Sequence, residues 1–265
     1  MTDPFKIIEP TCISFSGGRT SAYMLWRVLQ SNGGVLPDEA IVCFANTGKE
    51  DEATLKFVQA CADNWNVPIA WVEFQQESPK YKVVTFENAA RNGEPFEALI
   101  LKKSYLPNPV ARFCTEELKV KAINRYIKDL GIEDINTMVG VRSDELRRLP
   151  KLRLRGLNVP LADAGVTQTD VQNFWKSQSF DLELKFRNGI TALGNCDLCF
   201  LKGPDQIMGL IKDNPDRATW WAKQEKAINA TFRSDRASYL QMQQFMDNQA
   251  DMFNNEGGIE CFCGD

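Results

Sequence analysis

The stretch Thr11–Tyr23, TCISFSGGRTSAY, decides the fold. Its first five residues, TCISF, have the β-branched and aromatic character of a short strand. Ser16-Gly17-Gly18 interrupts that run, and from there Ala22, Leu25, Trp26 and Leu29 recur at helical spacing. Two glycines let the backbone turn tightly and approach a ligand closely. The helix that follows offers first-turn amides without intrahelical partners and the positive end of its dipole, which together suit an anion. Ser16, Thr20 and Ser21 add hydroxyls, and Arg19 adds a guanidinium fork. A phosphate cradle at the carboxyl end of a strand is where parallel α/β sheets bind ligands. The glycine pair would also serve an ordinary strand–helix turn, and the pattern is neither G-x-x-x-x-G-K-S/T nor G-x-G-x-x-G.

Outward from this stretch the alternation repeats. Ile41–Ala45, IVCFA, reads as a second strand, ending at Asn46-Thr47-Gly48 before the helical EDEATLKFVQACADNW. IAWVEF is a third strand; ELKVKAINRYIKDLG is a helix closed by Gly131, and Thr137–Arg142, TMVGVR, is a further strand. Strands alternating with helices predict a Rossmann-like parallel twisted α/β sheet. The region 75–106, with weak periodicity and several Gly and Pro residues, reads as an excursion over the sheet's edge. After Pro160 helical segments dominate, so the expected division is an α/β nucleotide-binding domain over 1–163 and a helical C-terminal lobe over 164–265.

The 265 residues carry 43% hydrophobic and 25% charged side chains, enough for a sizeable core. The formal net charge of −4 gives no general case for coating nucleic acid. A local case exists in Arg142–Arg155, RSDELRRLPKLRLR, with five arginines and one lysine, which reads equally as a nucleic-acid backbone contact or a solvated face. Trp220 and Trp221 could stack on a base, and read more naturally as anchors of a helix. Histidine is absent, which removes Ser-His-Asp and Cys-His catalysis and every imidazole metal site. The N-terminal MTDPFKIIEP has no basic region followed by an apolar core, and no apolar run reaches spanning length. The expected setting is cytoplasmic, with no membrane, where clustered cysteines point to metal or catalysis more than to disulfides.

Eight cysteines fall into two groups. Cys12, Cys43 and Cys61 sit in strands or on an apolar helix face and read as packing residues. Cys196 and Cys199 stand as C-D-L-C, and Cys261 and Cys263 as C-F-C near the C-terminus. Two such pairs without histidine allow a tetrathiolate zinc site or an iron–sulfur cluster. Cys114 precedes Thr115, read as an N-cap with Glu116 and Glu117 in the first turn, and lies beside Arg112. Both features favour the thiolate.

SFSGGRTS resembles the Ser-Gly-Gly-x-x-Ser PP-loop of the ATP-pyrophosphatase and phosphoadenosine-phosphosulfate (PAPS) reductase family. ANTGKEDEATLKFV is similar to that family's second-strand Thr-Gly motif, RFCTEELKVKAI to its Arg-x-Cys-Thr-x-x-Leu-Lys motif, GVRSDELRRLP to its Gly-x-Arg-x-x-Glu motif, and VPLADAGVTQTDVQNFW to its Pro-Leu…Asp-Val motif. The resemblance runs over about residues 11–225, with all five motifs in order. It departs at Arg19-Thr20, where many ATP-cleaving members carry Lys-Asp, the Asp being a magnesium ligand. It implies an adenine nucleotide alpha hydrolase-like fold with an adenine nucleotide, ATP or a sulfonucleotide, and Mg2+ where the nucleotide is ATP. Ser16, Gly17, Gly18, Arg19, Thr20 and Ser21 would hold its phosphate, beside Thr47 and Gly48, with Arg142 on the anionic part of the substrate. It also implies a [4Fe–4S] cluster on Cys114, Cys196, Cys199 and one tail thiol, taken as Cys261, leaving Cys263 for catalysis.

The sequence therefore points to a PP-loop enzyme of sulfur transfer, ATP-dependent and cluster-bearing, with a redox or sulfur-donor partner and a nucleotide or nucleic-acid substrate. A sulfonucleotide (adenylyl sulfate) reductase is the alternative within the family. The alternative of another class is a non-catalytic nucleic-acid-binding module stabilised by zinc.

Overall fold

Alternation along the strands sorts side chains onto two faces, and both faces are covered by helices. The structure, a computed structural model, describes residues 3–187 and 190–254. Two compact units are present: Met1–Lys102 with Phe113–Asp197, and Lys103–Arg112 with Leu198–Asp265.

The first unit begins with β1 (Thr11–Phe15), α1 (Arg19–Ser31), β2 (Ala40–Asn46), α2 (Glu52–Trp65) and β3 (Ile69–Phe74). It continues with β4 (Tyr81–Val84), α3 (Glu94–Lys103), a wide π-helical turn (Thr115–Val120) running into α4 (Lys121–Asp129), and β5 (Asn136–Val139). The short helices α5 (Leu149–Leu154) and α6 (Pro160–Asp163), α7 (Gln168–Lys176), and the two-residue strands β6 (Phe186–Arg187) and β7 (Ile190–Thr191) complete it. The sheet order is β4-β3-β2-β1-β5. β1 pairs in parallel with β2 and β5, and β2 with β3, while β4 runs antiparallel to β3.

Ile13, Phe15, Val42 and Phe44 point into one core, with α1, α2 and α7 contributing Leu25, Val28, Leu55, Val58, Val171 and Trp175. Cys12, Cys43 and Ala45, at the alternate positions, point into a second core closed by Ala122, Ile123 and Ile127 of α4. Helices on both faces of a mostly parallel sheet make the doubly wound α/β arrangement that the βα alternation predicts.

Two expectations need correction. The region 75–106 is not a plain excursion: it supplies the edge strand β4 and helix α3. Nor do the two compact units divide near residue 163. Residues 164–197 stay with the sheet because α7 inserts Trp175, only 3% exposed, among Phe57, Trp65, Phe174 and Phe180.

The second unit holds α8 (Pro204–Asp213), α9 (Arg217–Ile228) and α10 (Tyr239–Asn254). Trp221 is fully buried against Phe232 and Tyr239, so it anchors the helices. The buried Glu225 carboxylate accepts the amides of Phe232 at 3.1 Å and Tyr239 at 2.8 Å, and its burial raises its pKa from the ordinary value against those bonds.

Trp175→Ala removes the largest side chain of α7 from the core, and we expect a loss of about 3–5 kcal/mol in urea unfolding. A loss under about 1 kcal/mol would mean that α7 is not part of this core.

Candidate functional site

β1 has a parallel neighbour on each side, and helices α1 and α2 cover one face of the sheet while α4 covers the other. The chain therefore diverges at the carboxyl end of β1, and a divergence of this kind leaves a crevice that no crossover covers. Three loops meet there: 16–21 after β1, 47–50 after β2 and 140–145 after β5.

The first loop is held by its own hydroxyls. Ser21 Oγ donates to the Gly18 carbonyl at 2.9 Å and accepts the Ser16 amide at 3.2 Å, with Ser16 Oγ 2.9 Å away. Gly17 has φ +73°, and a Cβ there would sit 2.7 Å from Thr54 Cγ2. Gly18 has an extended backbone, φ −107°, and a Cβ there would meet only Ser16 Oγ at 3.8 Å. The glycine the fold requires is thus Gly17, which lets the loop press against α2. The first turn of α1 carries no acidic residue, so the positive end of its dipole is not neutralised from within the helix.

Arg19 differs from the expectation. Its guanidinium is turned onto Asp181, with Nε and Nη2 at 2.6 and 2.7 Å from the carboxylate oxygens, and also donates to the Leu182 carbonyl. Its own carbonyl accepts from Trp175 Nε1 at 3.0 Å. In this arrangement the loop presents amides and hydroxyls, and Arg19 braces α1 against the 181–182 segment. The sequence carries no sign of this, since the pair is separated by 162 residues.

Arg142 sits where the β-run placed it. A Cβ on Gly140 would be 2.8 Å from Ser21 Cα, so the loop after β5 lies backbone-to-backbone on α1. Arg142 Nη1 comes within 3.3 Å of Thr20 Oγ1. Asp144 receives its Nε at 2.9 Å and Glu145 its amide at 3.1 Å.

The β2 loop contains the residues that sequence reasoning missed. Glu50 is buried, and Oε2 accepts both the amide and the hydroxyl of Thr47, at 2.8 and 2.7 Å. Lys119, the lysine of the RFCTEELK motif, approaches Glu50 Oε1 at 3.4 Å. Gly48, at φ +76°, has room only for hydrogen, with Gly93 Cα 3.0 Å from where a Cβ would stand. The loop is also stitched to the start of C-D-L-C. Asp197 N donates to the Lys49 carbonyl at 2.7 Å, Lys49 Nζ and the Asp197 carboxylate form a buried ion pair at 3.2 Å, and Glu50 and Cys196 make an antiparallel bridge. Cys196 Sγ consequently lies 3.4 Å from Thr47 Oγ1. The single Thr47 hydroxyl hydrogen is directed at Glu50, so the thiol is the donor in that contact. A Thr three residues before an acid, as in Thr47-Gly-Lys-Glu50, was the available signal for the first of these bonds.

Cys114 does not precede an N-cap. The helix begins at Phe113, Cys114 has helical φ −60° and ψ −43°, and Thr115 is already inside the wide turn. Cys114 keeps its place in a first helical turn. Cys114 and Cys196 belong to the first unit and Cys199 to the second, while Cys261 and Cys263 lie outside the described residues. Among the described residues no three Cys, Asp or Glu side chains gather in a group able to hold a metal. The described donors alone therefore do not make the expected four-thiolate site. Cys12, Cys43 and Cys61 are buried packing residues; the bond to Cys12 and burial raise the Cys43 pKa, and burial raises that of Cys61. No helix among the described residues is long and apolar enough to cross a membrane.

The two glycines should respond oppositely to alanine. Gly17→Ala forces a side chain into left-handed backbone and against α2, and should lose about 2–4 kcal/mol in chemical denaturation. Gly18→Ala meets open space in an allowed conformation and should be neutral or stabilising by up to about 1 kcal/mol. Equal losses would show that the loop is not built as described.

Comparison with known proteins adds two relatives. The chain is 32% identical over 211 residues to the uncharacterized nin region protein ORF290 of Escherichia phage lambda, covering 76% of this chain and 69% of that protein. It is 27% identical over 150 residues to the uncharacterized protein MJ0066 of Methanocaldococcus jannaschii, covering 56% of this chain but only 26% of the archaeal protein's length. No protein-family model matches the chain. On the extent of the first match, this chain belongs to the family of the phage lambda nin region protein ORF290.

Proposed function

We propose that the crevice at the end of β1 binds an adenine nucleotide and that the protein is a PP-loop enzyme of sulfur transfer resembling the PAPS reductase family. One observation carries the reading: loops separated by more than a hundred residues in sequence converge on one switch point, with a cysteine of C-D-L-C hydrogen-bonded to the Thr47 of the second loop. In this reading the amides of the β1 loop, with Ser16 and Thr20, bind phosphate at the dipole end of α1. Arg142, already beside Thr20, neutralises the anionic charge that builds there. Sulfur insertion then has two steps. An acceptor oxygen attacks the α-phosphorus of ATP and pyrophosphate leaves into the cradle. A sulfur nucleophile next displaces AMP from the acceptor. Thr47 and Glu50 hold the rim where Cys196 stands.

The reading includes a [4Fe–4S] cluster on Cys114, Cys196, Cys199 and Cys261, which would supply sulfur or electrons when bound, with Cys263 as the remaining reactive thiol. A separate sulfur donor or reductant completes the reaction.

Two measurements test the reading. In titration calorimetry with ATP and AMP, Arg142→Ala should weaken binding by about tenfold to a hundredfold, the worth of a hydrogen bond to a charged group. Unchanged affinity in a folded variant, or no nucleotide binding by the parent, would overturn the assignment of the crevice. After anaerobic purification the parent should be brown and hold about four irons per chain, and Cys114→Ser should lose them. Colourless protein holding zinc, with the same metal content in Cys114→Ser, would replace the cluster with a Cys₄ zinc site.

A further inference from the structure

The segment between β5 and α6 leaves the sheet and returns to it. Val139 N donates to the Asn158 carbonyl and Asn158 N to the Thr137 carbonyl, both at 2.9 Å, so the chain departs after Val139 and rejoins β5 opposite Met138. The lip between these points starts in the crevice at Arg142 and carries α5 outward. α5 has no buried residue, and Leu146 and Leu154 are 72% and 89% exposed, so core packing does not hold this segment.

What the lip carries is charge. Residues 142–155 hold six basic and two acidic side chains, a net of +4, in a chain whose formal charge is −4. Arg148 pairs with Glu145 and Arg153 with Asp163, each at 2.5 Å. Arg147, Lys151 and Arg155 are exposed and have no acidic partner within 4.0 Å among the described residues. Lys151 lies within α5, and Arg147 and Arg155 lie in the turns just before and just after it. A short exposed segment that carries six basic side chains and whose helix buries none of its residues lacks an internal reason for its composition.

We infer that this lip docks the phosphodiester backbone of a nucleic-acid duplex and presents it to the crevice as the acceptor. The inference rests on the proposed sulfur transfer for the acceptor's role, and on the lip alone for binding. Arginine supplies the planar fork that fits phosphate oxygens, and it outnumbers lysine five to one here. Residues 140–160 contain no Phe, Tyr or Trp, which leaves neither a stacking platform for unpaired bases nor an aromatic anchor for a protein partner. A phosphodiester backbone, which asks for cationic forks and no stacking surface, fits this composition.

The test is anisotropy of a labelled DNA duplex of about 20 base pairs titrated with the full-length protein at several salt concentrations. Against the parent, the triple variant Arg147→Glu/Lys151→Glu/Arg155→Glu should bind at least about tenfold more weakly near 0.1 M salt. The slope of log affinity against log salt should fall by about 2–3, one lost ion contact per residue. Arg147→Gln/Lys151→Gln/Arg155→Gln should lose the same slope without adding repulsion. Excess unlabelled duplex should compete, and polyglutamate of equal charge should not. Parent-like affinity and slope in the Gln variant, or equal competition by polyglutamate, would overturn the inference. ATP affinity is measured on all three proteins in parallel. Its retention in the variants shows an intact crevice, while its absence in the parent is a failure of the nucleotide reading and leaves the duplex result to be judged separately.

Discussion

A central strand with parallel neighbours on both sides is the constraint on which the rest of this protein depends. Parallel strands need crossovers, and crossovers to opposite sides must run over opposite faces to bury both. β1 accepts that arrangement because its side chains are apolar on both faces, Ile13 and Phe15 toward one core and Cys12 toward the other. The loop after it then faces open space at one end and α2 along its flank. Gly17 answers the second condition and the hydroxyls of Ser16 and Ser21 the first.

The rim of the crevice is maintained by buried charge, which is an expensive way to build a loop. Lys49 with Asp197 takes both ionic groups out of water, and Glu50 is buried while its partner Lys119 keeps partial exposure; for such groups the desolvation penalty can exceed the attraction between the partners. Such pairs add geometric definition. Glu50 fixes both hydrogens of Thr47, which leaves the Thr47 oxygen as an acceptor aimed at Cys196. A hydrophobic rim of equal volume would leave the orientation of that hydroxyl unspecified.

Local pattern made the sheet legible and distance made the site partly illegible. TCISF, the second and third strands and the crossover helices have periodicities that survive in the structure almost to the residue, because each is decided by which faces are covered. The Ser16–Ser21 loop and Arg142 were visible as strand-end residues, since sheet topology alone brings strand ends together. Asp181 on Arg19 and Asp197 on Lys49 were not, because nothing within a window of sequence announces a partner more than a hundred residues away. β4 was hidden for another reason: YKVV is short and lies at an edge with one covered side. Trp175 drew 164–197 to the sheet, where helical periodicity alone could not say which core its apolar face would join.

The stitch between the β2 loop and C-D-L-C spans 149 residues from Thr47 to Cys196. Contacts of such separation form late, since the loop they close must first be ordered along most of its length. Synthesised from its N-terminus, the chain exposes Thr47 long before Cys196 leaves the ribosome, and the sheet can assemble while the rim is still missing. Under the proposed reading, a nucleotide in the finished crevice would stabilise only molecules that have completed this closure, and its binding would report that the whole first unit has folded.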